Sequence, residues 1–92
     1  MIWGIEFLQE AEKDMKRLDH SVQIQVLKGI KKVSKNPLPV SQGGYGKPLG
    51  NKENTNLTNL MKIKFRDIGI RVVYKIEYVD EVMKIIVISA RT

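Results

Sequence analysis

The residues best suited to chemistry lie together in one stretch, Leu60 to Tyr78, which reads LMKIKFRDIGIRVVYKIEY. Apolar and basic residues alternate from Met61 to Arg66. Successive residues of a strand point to opposite faces. Lys62, Lys64 and Arg66 therefore share one face, and Met61, Ile63 and Phe65 share the other. Asp67-Ile68-Gly69-Ile70 reads as a hairpin turn, with Gly69 able to take positive φ. Folding back over that turn predicts Arg66 opposite Arg71, Lys64 opposite Val73 and Lys62 opposite Lys75. One face then carries Lys62, Lys64, Arg66, Arg71 and Lys75, with no acid before Glu77. The other carries Met61, Ile63, Phe65, Val72, Tyr74 and Ile76.

Like charges facing each other on a hairpin destabilise it, by a few tenths of a kcal/mol up to about 1. A bound polyanion would relieve that cost. Isolated lysines have a simpler use, as a solvated face that blunts an exposed strand edge. Two arginines beside aligned lysines add a second use, since guanidinium groups match phosphate geometry. Such groups can stabilise a pentacovalent phosphorane, and a lysine crowded by like charges loses basicity until it can shuttle protons. RNA brings its own nucleophile, the 2′-hydroxyl. A ribonuclease without a metal is thus chemically allowed, though composition alone does not show one. Other chemistries find little support. The chain has no cysteine, so disulfides and cysteine-ligated metals are excluded. A single histidine and no carboxylate cluster speak against a metal site. That histidine, His20, stands at a helix start among polar residues and reads as an ordinary exposed side chain. Gly43, Gly44, Gly46 and Gly50 complete no phosphate-binding pattern, so no nucleotide cofactor is expected.

These residues must be positioned by one small domain, residues 1–92. Its net charge of +6 suggests nucleic acid or an acidic protein as partner. No apolar run approaches the roughly 20 residues that span a bilayer. The opening MIWGIEFLQEAEK lacks the layout of a signal peptide, so a cytoplasmic protein is expected. Ile2 to Phe7 alternates as a short strand. Leu8, Ala11, Met15 and Leu18 recur at helical spacing and predict a helix over about residues 8 to 18. Asp19 is placed to cap a second helix, with Val22, Val26, Leu27, Ile30 and Val33 as its buried stripe. Lys28, Lys31, Lys32 and Lys35 form its wet side, the usual place for lysines. Pro37 ends that helix near Ser34 to Asn36, and the short link between the helices predicts an antiparallel helix hairpin. Leu38 to Asn56 is a long, turn-rich loop, expected to be pinned by Leu49, Leu57 and Leu60. Val79-Asp80-Glu81 turns the chain, and Val82 to Ser89 is apolar enough for a central strand. The expected fold is α+β: an N-terminal strand, the helix hairpin, then a three-strand antiparallel meander, with the helices on one sheet face and the basic face outward.

The order of elements, Lys47-Pro48-Leu49-Gly50, the block from Leu60 to Tyr74 and the closing Val87 to Arg91 resemble the RelE/ParE toxins of bacterial toxin–antitoxin pairs. The resemblance covers essentially the whole chain, and its most specific part is K-x-K-x-R, a turn, then R-x-V-Y. This block is close to the RelE branch, whose members cut messenger RNA in the ribosomal A site by 2′-hydroxyl attack on the adjacent phosphate. The resemblance implies that Lys62 and Lys64 transfer protons and contact phosphate. Arg71 would stabilise the transition-state charge, with Arg91 as a further active-site arginine. Arg66, Lys75 and Lys47 would bind RNA. It also implies a cognate antitoxin, acidic and amphipathic, with ribosome and messenger RNA as the other partners, and no cofactor. Relatives in the ParE branch act on DNA gyrase instead and lack the nuclease residues. A catalytically inactive antitoxin-binding module is the remaining alternative. RelE-like toxins commonly carry a tyrosine in a tail beyond the last strand. This sequence reads to Arg91-Thr92, and Tyr74, which alternation places on the core face, is no substitute, so the expectation is either that such a tail lies beyond this sequence or that the chain is a weak toxin.

Overall fold

The structure, a computed structural model, describes residues 3–49 and 60–90. Strand β1, Gly4–Phe7, leads into helix α1, Gln9–Lys16, and helix α2, His20–Val33. A compact loop follows, then strands β2 (Lys47–Pro48), β3 (Leu60–Phe65), β4 (Ile70–Glu77) and β5 (Val82–Ala90). The strands form one five-stranded sheet in the order β1-β5-β4-β3-β2. The expected α+β class and the antiparallel β3-β4-β5 meander hold, with β1 and β2 added at its two edges. β1 pairs with β5 in parallel, so the chain's first strand and its last lie side by side.

Period-two burial explains the core. Met61, Val72, Tyr74, Ile76, Met83, Ile85 and Ile88 are buried on one sheet face, where Ala11 of α1 and Val26, Ile30 and Val33 of α2 meet them. Leu27 departs from the expected stripe. It is 37% exposed, and with Phe7 and Met15 it lines an open groove on the helical side. Asp19 occupies the cap position of α2, but its side chain makes no capping hydrogen bond. A register shift at Val73/Tyr74 leaves Ile86 as an extra residue between the partners Ile85 and Val87. The bulge switches which residues of β5 face the core, and this accounts for a strand sequence that does not alternate.

Two local devices set the strand ends. β1 stops at Phe7, opposite Ile85. Just beyond, Asp14 of α1 takes over its role: the backbone N–H of Ile88 donates to Asp14 Oδ2 at 3.0 Å. At the other edge, residues 36–46 fold back on themselves. Tyr45 N–H donates to the Asn36 carbonyl and Gly46 N–H to that of Leu38, both at 2.9 Å. The Tyr74 hydroxyl reaches up from the core and donates to the Pro37 carbonyl at 2.8 Å. Gly46 lies so close to Pro37 and the Tyr74 hydroxyl that a Cβ there would collide with both. Burial raises the Tyr74 pKa far above that of an ordinary phenol, so the hydroxyl stays a donor. The expected long loop is thus compact as far as Leu49, whose N–H donates to the Leu60 carbonyl. Leu57, the third expected anchor, lies outside the described residues.

Candidate nucleic-acid interface

The hairpin of β3 and β4 presents its basic residues on the sheet face away from the helices, as alternation requires. Its register differs from the one expected. Lys64 faces Arg71, Lys62 faces Val73 and Leu60 faces Lys75. The reason is the turn. Arg66–Ile68 forms a single 3₁₀ turn closed by Gly69 at φ 66°, so Arg66 leaves the strand and the pairing slips by two residues. A slip of two preserves every face assignment. The facing cations are therefore Lys64 and Arg71, not Arg66 and Arg71, and Arg66 stands exposed in the turn.

The strand ladder places further residues around this pair. Lys47 of β2 faces Lys62, which brings the edge strand's lysine onto the same face. Across β4, Ser89 of β5 faces Arg71. Lys64, Arg71 and Ser89 thus form one row across three strands. The next row holds Lys62, Val73 and Val87. Ser89 received no role from the sequence; only the register of β5 puts its hydroxyl beside Arg71. Lys75 does not join the cluster. It lies four residues along β4 from Arg71, about 13 Å at the rise of a strand, and faces Lys84. Lys84 is held between two carboxylates, at 3.7 Å from Glu6 and 3.7 Å from Glu77. Arg91 lies outside the described residues.

Arg71 is the unusual member. Its Nε is buried and finds no acceptor among the described residues. A buried N–H without a partner costs about 1–3 kcal/mol, so an acceptor that reached this Nε would be stabilising. Neither Arg71 nor Lys62 nor Lys47 forms an ion pair among the described residues. The arrangement can bind an anion over the outer face of the sheet and place a fork of donors on it. Among those residues no group of three or more His, Asp or Glu side chains could hold a metal ion, and no helix is long and apolar enough to cross a membrane. His20 is exposed at the start of α2.

No protein-family model matches the chain, and no curated protein matches it in sequence. Solved structures do. The isolated RelE toxin of Escherichia coli superimposes with a TM-score of 0.79 at 23% identity, over 98% of this chain and 85% of that one. The RelBE2 toxin–antitoxin complex of Mycobacterium tuberculosis gives 0.76 at 21% identity, over 99% of this chain and 100% of that one. A chromosomal ParDE system of Pseudomonas aeruginosa gives 0.58 at 10% identity, over 99% and 98%. The architecture built by β1 to β5 and the two helices is that of the RelE toxins.

Proposed function

We propose that this chain is the toxin of a type II toxin–antitoxin pair and that it cuts messenger RNA on the ribosome. One observation carries the reading: the buried Arg71 Nε, without an acceptor among the described residues, beside Lys64 on an open sheet face. A phosphodiester supplies the missing acceptor. In the proposed reaction the 2′-oxygen bonds to the adjacent phosphorus and the bond from phosphorus to the 5′-oxygen breaks. A 2′,3′-cyclic phosphate and a 5′-hydroxyl result. One lysine of the Lys62/Lys64 pair takes the 2′-hydroxyl proton and the other returns a proton to the leaving oxygen. Arg71 balances the charge that builds on the phosphorane, and Arg66 and Lys47 contact the RNA backbone. Arg91 is assigned to the same site on the resemblance alone.

Such a site has no group built to be a strong base, since His20 lies on a helix start away from the sheet's outer face. It needs its substrate held in line, and the ribosome can do that, converting positioning into rate. An acidic, amphipathic antitoxin fits the same cationic face. The cytoplasm, where ribosomes and messages meet, is the expected location. The test is to express the chain and map cuts on an actively translated message. Cuts at codon boundaries that vanish with Arg71→Ala support the reading. Intact messages alongside trapped gyrase–DNA complexes would replace it with the ParE-like alternative, and neither effect would leave an antitoxin-binding module.

A further inference from the structure

Most of the chain's excess charge lies away from the sheet face. Residues 20–52 contain six lysines, at positions 28, 31, 32, 35, 47 and 52, and no Asp or Glu. The chain has 16 basic and 10 acidic residues, so outside this segment 10 basic residues balance 10 acidic ones. The whole net charge of +6 therefore falls within residues 20–52, and four of its six lysines stand on α2 and the turn that follows it.

Four of those lysines form a stripe. Lys28, Lys31 and Lys32 follow one another at intervals of three and one on one side of α2, and Lys35 continues the run in the turn just beyond the helix end. At 100° per residue that side is opposite Val26, Ile30 and Val33, the residues α2 buries. All four lysines are exposed. The helix dipole explains a basic last turn, and hence Lys31 and Lys32. It does not explain Lys28 a turn earlier, or an acid-free run of this length. A solvated helix ordinarily intersperses both signs, as α1 does with Glu10 and Glu12 early and Lys13 and Lys16 late. Beside the stripe stands Tyr45, 50% exposed, with the Lys32 ammonium 5.8 Å from its ring centre. That contact holds an aromatic face at the margin of the cationic surface. Lysines contact phosphates, and an exposed aromatic among them can stack on an unpaired base, a contact that RNA offers and the carboxylates of an acidic polypeptide do not.

We propose that the outer side of α2, with Lys28, Lys31, Lys32, Lys35 and Tyr45, is a second RNA-docking surface that grips the phosphate backbone of structured RNA. It points away from the sheet, so it cannot hold the strand lying over Arg71. It rests on the cleavage reading only in taking RNA as the partner, and it deepens that reading: one face meets the RNA that is cut, and the other meets folded RNA that positions the domain.

The test compares the wild-type chain with the variant Lys28→Gln/Lys31→Gln/Lys32→Gln/Lys35→Gln and with Arg71→Ala. The probes are 70S ribosomes, a 20-base-pair RNA duplex and poly-glutamate, each titrated across salt concentrations. The quadruple variant should melt like wild type. It should lose at least about tenfold in affinity for both RNA probes near 0.1 M salt, with the salt slope reduced by about three to four. Arg71→Ala should change that slope by no more than about one while stopping cleavage. If the quadruple variant misfolds, Lys28→Gln/Lys35→Gln should still lower the slope by about two. An unchanged slope in a folded variant overturns the proposal, and so does a wild-type chain that binds neither RNA probe. Lysine-dependent binding of poly-glutamate alone overturns it in favour of an acidic protein. Lysine-dependent duplex binding without any mapped cuts leaves this surface standing and removes the cleavage reading.

Discussion

The two ends of the sheet's outer face are made of the same materials and behave differently. At one end Lys84 lies between Glu6 and Glu77, and Lys75 faces it. At the other Arg71 faces Lys64, keeps a buried Nε without an acceptor among the described residues, and has Lys62 and Lys47 close by in the ladder. A lysine on a strand is therefore no sign of function by itself. Its row decides. Where acids occupy neighbouring positions, the cation is neutralised within the chain and gains little more than solubility. Where Arg71, Lys62 and Lys47 form no ion pair among the described residues, the face is open to an anion from outside.

The largest predicted effect separates these ends directly. Arg71→Ala should lower ribosome-dependent cleavage by about 10²-fold or more, the usual cost of losing a charge-stabilising donor. Lys84→Ala, on the same face, should leave the rate within about twofold. Equal losses in a cleavage time course would erase the distinction between the two ends.

Next comes binding. Lys64→Glu together with Arg66→Glu should weaken ribosome binding at least tenfold and flatten its salt dependence, because two phosphate contacts become repulsive. Separating the two changes tests the register. Lys64→Glu alone creates an opposite-charge pair across from Arg71, and its effect on the melting free energy should couple to that of Arg71→Ala by a few tenths of a kcal/mol. Arg66→Glu alone should not, since Arg66 stands in the turn. The reverse outcome in thermal melts would restore the register expected from the sequence.

The third prediction concerns what holds Lys47 at the cationic end. Tyr74→Phe removes the hydrogen bond to the Pro37 carbonyl and should cost about 1–2 kcal/mol. Burial raises the Tyr74 pKa in the folded state. Its contribution is therefore complete below the ordinary phenol pKa near 10 and fades as pH climbs above it toward the folded value. The stability gap between wild type and Tyr74→Phe, followed by denaturant melts from pH 8 to 11, should narrow above about pH 10. A gap that widens contradicts the buried donor.

The smallest effect belongs to the neutralised end. Lys84→Gln removes two partly exposed ion pairs at 3.7 Å and should change stability by less than about 0.5 kcal/mol. A cost of several kcal/mol in urea melts would show that this end, too, carries strain.

The sequence by itself determined the faces. From Met61 to Ile76 the alternation fixes which side chains meet the core, and the buried Met61, Val72, Tyr74 and Ile76 follow it. It also determined the helices, whose apolar spacing places Ala11, Val26 and Ile30 inward, and the central position of β5. The tertiary structure decided the partners. Alternation has period two, so it cannot distinguish a register from one slipped by two residues. The choice fell to the 3₁₀ turn and Gly69, and it exchanged Arg66 for Lys64 as the neighbour of Arg71. The parallel pairing of β1 with β5, the Asp14 carboxylate at Ile88 and the row that adds Ser89 join residues up to 78 positions apart. No local pattern encodes such pairings. They arise because backbone groups left bare at a sheet edge must find partners, and only the closed fold settles which residues supply them.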